Sequence, residues 1–205
     1  MESPRTIHDF GGFPQDLFDV QYPAKGHPQL ARDTKEIIQT TEISLDDKWG
    51  LDHGAWSVIK HLYPNADVPV IQMSIDYTKP PQYHYDLANE LSLLRDKGVL
   101  IIGSGNMVHN LRKVDWNRLK DDDYGFDWAI EASEKMKTYI RNKDHDSLIN
   151  FQNQGEAFKL AIPTPEHYIP LLYSLALQKD NDDVQLFNDK AVGGSLTMTS
   201  VKISS

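Results

Sequence analysis

The chain has 205 residues, of which 40% are hydrophobic and 25% charged, and this composition excludes disorder as a general description. It contains no cysteine, which excludes a disulfide scaffold, a thiolate metal site and a cysteine nucleophile. The net charge of −9, the lack of basic runs and the lack of a long apolar run argue against nucleic-acid and membrane partners, so we expect a cytoplasmic protein.

The first half of the chain begins with a loop and then alternates between helical and extended patterns. Proline, glycine and aromatic residues over positions 1–28 indicate an ordered loop. Hydrophobic spacing predicts helices at 30–40, 55–63 and 85–97, and strands at 68–75 and 99–102. The run at 99–102 is continuously apolar, which is typical of a strand buried on both faces.

The second half continues the alternation and completes the predicted architecture. Its pattern predicts helices at 126–141, 146–150 and 166–177 and a final strand within 194–203. Helices alternating with a buried strand favour an α/β fold with three layers, α/β/α, around a central sheet that is mostly parallel or mixed. We find no linker, so residues 1–205 are expected to form one domain.

A glycine-rich turn directly after the apolar strand is the first candidate site. Gly103, Ser104 and Gly105 precede His109, and ligands of open α/β sheets bind at the carboxyl ends of strands. The turn lacks the third glycine of a dinucleotide fingerprint, and Ser104 lies in G-S-G rather than in the G-x-S-x-G of hydrolases. A plain strand–helix turn with a surface histidine is the alternative interpretation.

Three further histidines lie at positions where a functional role competes with a structural one. His53 follows Asp52, which can cap a helix, and by itself fits a capping segment better than a catalytic histidine. His167 lies at a predicted first helical turn and could hold a metal ion or simply be exposed. His8 lies among aromatic residues and could contact a ligand. The remaining histidines are predicted to be surface residues: His27, His61, His84 and His145.

Four segments together resemble a known family. They are TIHDFGGFP (6–14), LDHGAW (51–56), GSGNMVHN (103–110) and PTPEHY (163–168). In this order they resemble the class III extradiol ring-cleavage dioxygenases, in particular the branch that cleaves DOPA at the 4,5 bond, a relative of the protocatechuate 4,5-dioxygenase catalytic subunit. The resemblance extends over essentially the whole chain.

The resemblance implies a mononuclear metal centre that acts on a catechol and O2. Members carry Fe(II) when active and often zinc when isolated. It implies that His167 is a metal ligand, and that His109 lies at the metal as a ligand or as the base acting on the catechol. His53 would be an acid/base beside the ligands, and His8 would line the substrate pocket. Histidine suits proton removal near neutral pH.

The sequence departs from the family pattern at its beginning. Family members start with a strand ending in His-Gly-Ser-Pro and another ending in Ser-Ala-His-Trp, and both histidines are metal ligands. Neither motif occurs here, so the chain is expected to be N-terminally incomplete, lacking roughly 60 to 70 residues that would supply the first strands of the sheet. We therefore expect this chain alone to be inactive, and its uncovered sheet edges favour a homo-oligomer.

Two other functions stay open at this point. A non-catalytic α/β relative could bind small molecules in the pocket that holds the substrate in catalytic family members. It would bind a catechol whether or not a chelator is present. A zinc hydrolase on the same scaffold would need zinc-dependent ester or amide cleavage, but the sequence offers no separate nucleophile.

Overall fold

The computed structural model describes residues 1–205 and groups them into two compact units, Met1–Ser74 and Ile75–Ser205. The helices are α1 (Gln15–Phe18), α2 (Pro28–Ile37), α3 (His53–Leu62), α4 (Pro81–Glu90), α5 (Ser92–Asp96), α6 (Asp127–Arg141), α7 (His145–Ile149), α8 (Glu156–Ala161) and α9 (Ile169–Ala176). The strands are β1 (Asp183–Phe187), β2 (Ala191–Val192), β3 (Leu196–Thr197) and β4 (Ser200–Ser204). None of the helices combines the length and the apolar character needed to cross a bilayer.

In the first unit, the N-terminal segment runs beside the chain that enters α3. Thr6 and Leu51 form a parallel bridge, and the Ile7 amide donates to the Leu51 carbonyl at 2.8 Å. Leu51 and Trp56 are buried in a small apolar core, and the Trp56 indole donates to the Ile7 carbonyl at 2.8 Å. Tyr22 joins the same core. The loop at 1–28 is therefore ordered by packing against α3, as the sequence predicts.

Asp52 caps α3, which confirms the prediction for this helix. Its Oδ1 accepts a hydrogen bond from the Ala55 amide at 2.9 Å. Gln72 holds the cap in place, because its Nε2 donates to Asp52 Oδ2 at 2.7 Å. A capping side chain of this kind stabilises a helix by about 1 kcal/mol. The cap places His53 at the first helical position.

The second unit is built around α6. The inward face of this helix is fully buried in the larger apolar core and consists of residues at helical spacing: Ala129, Ala132, Met136 and Ile140. Helices α7, α8 and α9 contribute side chains to the same core. The strands form two antiparallel pairs, β1 with β4 and β2 with β3. His109 bridges to Leu196 of β3, so this short sheet also holds the chain next to the candidate site.

Two predicted strands do not form strand pairs in this chain. Residues 68–75 and 99–102 form neither helix nor strand, and neither segment belongs to a sheet. The expected burial on both faces is also wrong for 99–102, because Leu100 is 62% exposed and Ile102 is 39% exposed. A continuous apolar run is stabilised as a buried strand only where other strands pair with it. The parallel pairing that does occur is confined to isolated bridges, such as Thr6 with Leu51.

Helix boundaries also differ from the predictions. The helix predicted at 85–97 begins earlier and is divided into α4 and α5 at Leu91. The helix predicted from position 166 begins instead at Ile169, and Pro170 lies in its first turn. Proline has no amide hydrogen and therefore fits a first turn, where no intrahelical acceptor is needed. Before this helix, the Thr164 hydroxyl donates to the Glu166 carboxylate at 2.7 Å.

Two histidines predicted at the surface are internal. His84 is fully buried, its Nε2 donates to the Asp76 carbonyl at 3.0 Å, and its Nδ1 lies 3.0 Å from the Tyr173 hydroxyl. His145 is half-buried between the Tyr85 hydroxyl and the Gln178 side chain. Burial lowers the pKa of both imidazoles. The sequence alone does not indicate that His84 is buried, because a histidine next to tyrosines is not part of a hydrophobic spacing pattern.

Candidate active site

Two of the predicted site histidines meet in the second unit. The rings of His109 and His167 are stacked, with centroids 3.7 Å apart and planes 14° from parallel. His109 is held by its amide, which donates to the Ala161 carbonyl at 2.9 Å. His167 is held by its carbonyl, which accepts from the Asn106 amide at 2.8 Å. The turn after 99–102 and the turn before α9 therefore bring the two imidazoles together.

The glycines of this turn allow the two backbones to approach each other. A Cβ on Gly103 would overlap the Pro170 carbonyl, and a Cβ on Gly105 would overlap the His167 carbonyl. Only glycine fits such an approach without displacing the neighbouring chain. These glycines therefore have a packing role that positions His167.

Asn110 fixes the other side of His109. Its amide donates to the Ser195 carbonyl at 3.1 Å, and its Nδ2 donates to the Leu160 carbonyl at 2.7 Å. Ser195 returns a hydrogen bond from its hydroxyl to the Asn110 carbonyl. Asn110 is almost fully buried, so these bonds are shielded from water and anchor the segment that carries His109.

The electrostatics of the pair keep His109 uncharged at neutral pH. Burial, followed by the neighbouring imidazole of His167, lowers the pKa of His109 to about 4. Glu166 lies beside His167, whose Nδ1 is 3.3 Å from the carboxylate. Burial opposes ionisation of Glu166, but the Thr164 hydroxyl and the nearby imidazole outweigh it and lower its pKa.

The donor types of this cluster suit a divalent metal ion, but their arrangement does not. No group of three or more metal-binding side chains exists in the chain. Moreover, each imidazole nitrogen directs its lone pair within its own ring plane, about 2.0–2.1 Å from a bound zinc ion. Two nearly parallel rings 3.7 Å apart cannot both direct lone pairs at a single ion. The stacked pair therefore does not form a metal site as it stands.

His53 forms a second constellation, in the first unit. Its Nδ1 and its amide lie 2.9 Å from the same carboxylate oxygen of Asp9. Because a carboxylate only accepts hydrogen bonds, Nδ1 carries the proton, and Nε2 of the neutral ring is then a proton acceptor. Burial opposes ionisation of Asp9, yet the hydrogen bonds from His53 prevail and lower its pKa. This is the arrangement of a general base held by a carboxylate.

Aromatic side chains surround this dyad. Phe10 packs edge-on against the His53 ring at 5.6 Å and near Trp56 at 6.2 Å. His8 lies in the same cluster, 5.8 Å from Trp56, and its Nε2 lies 2.9 Å from the Val20 carbonyl. His8 thus supports the aromatic cluster beside the pocket.

A pocket of about 260 Å³ opens between α3 and the loop at 10–20. Its walls include Phe10, Phe13, His53, Trp56, Lys60 and His61. The volume lies slightly below the usual range for small-molecule sites, about 300–1,000 Å³, and suits a molecule with a single ring. An aromatic pocket that contains a carboxylate-held histidine can bind an aromatic substrate and accept a proton from it.

Sequence reasoning missed the two carboxylates of these constellations. Asp9 is 44 positions from His53, and no spacing rule connects them. Glu166 precedes His167 directly, but its role depends on a backbone turn that the predicted helix would not have made. In both cases the sequence held one usable signal, a carboxylate directly next to a candidate histidine. Glu166 precedes His167, and Asp9 follows His8.

Comparison with known proteins places the chain in a family. Residues 2–192 match the family model described as the catalytic LigB subunit of aromatic ring-opening dioxygenase. The chain belongs to this LigB family. The match confirms the predicted family and enzyme class, an aromatic ring-opening dioxygenase.

Relatives of this LigB-family chain share a common name. A 4,5-DOPA dioxygenase extradiol of Escherichia coli (strain K12) is 42% identical over 99% of this chain and 75% of that protein. A protein of the same name from Beta vulgaris is 33% identical over 98% of this chain and 74% of its own length. The crystal structure of an uncharacterized protein from Escherichia coli K12 superimposes with a TM-score of 0.83 and 35% identity, over 98% of this chain and 81% of that one.

These likenesses confirm the predicted α/β class for the LigB-family chain. They do not test the roles assigned to individual side chains. His8, His53, His109 and His167 therefore stay predictions as site residues, now with the geometry described above. The expectation that residues 1–205 form one domain also stays a prediction, and the structure groups these residues into two compact units.

Proposed function

We propose that this chain is an extradiol ring-cleaving dioxygenase that acts on a catechol such as DOPA. The family supports the reaction class, and the names of the relatives support DOPA as the substrate. The structural observation that carries the proposal is the Asp9–His53 dyad beside an aromatic pocket. Both atoms of O2 enter the product, one on each carbon of the broken bond, as a carboxylate and an aldehyde, so no external reductant is needed.

His53 removes a proton from the catechol in this proposal. A catechol hydroxyl is a weak acid, and its oxidation by O2 is favoured once a proton is removed. Nε2 of His53 is the acceptor, because Asp9 holds the proton on Nδ1. The carboxylate then stabilises the imidazolium that forms. Phe10 and Trp56 hold the ring of the substrate next to this base.

A divalent metal, Fe(II) for activity or zinc in the isolated protein, is part of the proposal as the cofactor of the family. His109 and His167 are the imidazoles that would bind this metal, and His109 would act either as a ligand or as the base. Because their stacked rings do not accommodate one ion, no catalytic step is assigned to the metal here. Cofactor identity is therefore the first quantity to measure.

The test begins with anaerobic reconstitution with Fe(II), removal of excess metal and elemental analysis of the folded protein. DOPA and air are then added, and the yellow semialdehyde is followed by its visible absorbance. Retention of about one iron per chain together with formation of this product would support the proposed activity. His53→Gln should lower the turnover rate by about 100-fold, as expected for loss of a general base.

The matched control is His27→Gln, an exposed histidine in the same unit that caps α2. It should retain wild-type turnover. Wild-type turnover in His53→Gln would show that another group removes the proton. No product from the iron-loaded wild type would contradict the proposed activity and would meet the expectation that this chain alone is inactive.

The alternative is a non-catalytic small-molecule-binding relative. The observation in its favour is the stacked histidine pair, which does not form a metal site. It predicts catechol binding that is unchanged by a chelator, together with no product in the assay above. Calorimetric titration of DOPA under anaerobic conditions, with and without chelator, separates the two functions.

A further inference from the structure

The pocket of the first unit has an electrostatic asymmetry along α3. At one end the Asp9 carboxylate is hydrogen-bonded to His53, with Nδ1 and Oδ1 2.9 Å apart. At the other end Lys60 lines the pocket, and its ammonium group makes no ion pair or hydrogen bond within the chain. Asp16 and Asp19, which adjoin the wall residues Leu17 and Val20 in sequence, do not line the pocket. An uncompensated positive charge therefore lies at one end of an aromatic cavity.

The geometry of α3 fixes the distance between these two ends. Lys60 is seven positions after His53, which is about two helical turns or about 10 Å along the axis. Trp56 and Ser57 lie between them on the same side of the helix and line the pocket. This length matches a six-membered ring with a short extended side chain that ends in a carboxylate.

The opposite wall presents an aromatic ring at the pocket mouth. Phe13 is 56% exposed, although it packs edge-on against Phe10 at 5.5 Å. Gly12 adopts a φ of +78°, which bulky residues avoid, and this turn directs the loop so that Phe13 faces the pocket. An exposed phenyl ring at the edge of a cavity is favourable when a ligand covers it.

We propose that Lys60 is the specificity-determining residue of this pocket and binds the carboxylate of an aromatic acid whose ring lies between Phe10, Phe13 and Trp56. The inference rests on the proposed function, because it assigns an anionic side chain to the catechol and places the diol end at His53. Lys60 then favours acidic over neutral catechols. His61, which is exposed at the same end, provides a further polar contact.

The test uses a ligand that cannot be cleaved. 3-Phenylpropionate has the ring and the carboxylate but no diol, and 3-phenylpropanamide is its neutral counterpart of nearly equal size. Binding of each to the full chain is measured by calorimetric titration at low ionic strength. We expect the acid to bind roughly five- to tenfold more tightly than the amide, which is the discrimination expected of one partly exposed charged contact.

Lys60→Gln should remove this preference and leave the affinity for the amide unchanged. Lys35→Gln, which changes a lysine of α2 outside the pocket, is the control and should preserve the preference. Ser57→Phe fills the pocket from an exposed helical position and should abolish binding of both compounds.

Three outcomes would overturn the inference: equal affinity of the wild type for acid and amide, a preference retained in Lys60→Gln, or no binding of either compound. Because the probe needs neither metal nor O2, its binding is independent of turnover. A wild type that binds the acid through Lys60 but forms no product from DOPA would retain this inference and contradict the proposed function. A wild type that turns over DOPA but shows no preference for the acid would support the proposed function and contradict this inference.

Discussion

Asp9 is the residue that distinguishes His53 from an ordinary histidine next to a helix cap. Its carboxylate accepts hydrogen bonds from both the ring and the amide of His53, so the ring is held in one tautomer and one orientation. Asp9 does not line the pocket and acts only through His53. It is therefore a positioning residue in the proposed reaction.

Asp9→Asn should lower the turnover rate of the iron-loaded chain by about 10- to 100-fold, because the amide cannot stabilise an imidazolium as a carboxylate does. The KM for DOPA should change little, since no pocket contact is lost. Asp16→Asn on α1 is the matched control and should leave both constants unchanged. A rise in KM with normal turnover would instead indicate that Asp9 shapes the binding site.

Asp182 is a buried carboxylate in the second unit with a structural role. Its side chain is 1% exposed and forms a two-pronged ion pair with Arg95, at 2.6 Å and 3.2 Å. The hydrogen bond from Arg95 is the main reason that the pKa of Asp182 is lowered. Its stabilising effect is therefore present above the unfolded value of 3.8 and is lost as pH falls through the lower folded pKa.

Asp182→Asn should lower the free energy of unfolding at pH 7 by about 3 kcal/mol, because Arg95 loses its charged partner in a partly buried position. Asp96→Asn is the matched control, since Asp96 is 62% exposed in its ion pair with Lys179 and should cost less than about 1 kcal/mol. Urea denaturation at pH 7 measures both. Equal effects of the two variants would show that burial does not strengthen the Arg95 pair.

At the scale of elements, the turn that follows 99–102 depends on its glycines. Gly103→Ala should destabilise the fold by about 1–3 kcal/mol, because the added methyl group overlaps the Pro170 carbonyl at the start of α9. Gly11→Ala is the control, since nothing lies within 4 Å of a Cβ there. Thermal unfolding followed by circular dichroism measures both. A neutral Gly103→Ala would mean that the α9 turn moves freely.

The helices were the elements that local pattern could predict. Helix α3 has an apolar stripe and a capping aspartate in the sequence, and both are found in the structure. Strand pairing could not be predicted in the same way, because a strand is stabilised by partners far along the chain. Segment 99–102 has a strand composition without a partner, whereas β1 has a partner in β4 but too little burial to stand out. Composition alone does not identify the partner.

At the scale of the whole molecule, buried histidines make stability depend on pH. The pKa values of His84 and His145 are lowered from 6.5 by burial, so the unfolded chain binds protons that the folded chain does not. Their contribution is fully present above pH 6.5 and decreases as pH falls toward the folded pKa values. The lowered pKa of Asp182 acts in the same direction at lower pH.

The free energy of unfolding should therefore change little between about pH 8 and 7 and then fall as the pH is lowered through 6.5 toward about 5, with a slope of at most about 1.4 kcal/mol per pH unit for each proton bound. Urea denaturation at a series of pH values measures this slope. His84→Gln should flatten the slope, whereas His27→Gln at the exposed α2 cap should not. A stability that is constant over this range would contradict the internal positions of His84 and His145.

The candidate site was predictable as a set of residues but not as a geometry. The four ordered segments indicated His8, His53, His109 and His167, and the structure brings two of them into contact. The pairing partners follow from tertiary packing: Asp9 reaches His53 only because residues 5–7 lie beside Leu51. Residue identity fixes the available chemistry, while the non-local backbone contacts decide which groups act together.

The stack of His109 on His167 has a magnetic consequence. Each imidazole lies over the face of the other, so the ring current of one shields the carbon-bound protons of the other and shifts their NMR signals upfield. Any ligand that needs both rings to direct nitrogens at one point must turn at least one ring and end this shielding. The proton spectrum of the two histidines thus reports directly on whether the pair has opened, independently of turnover.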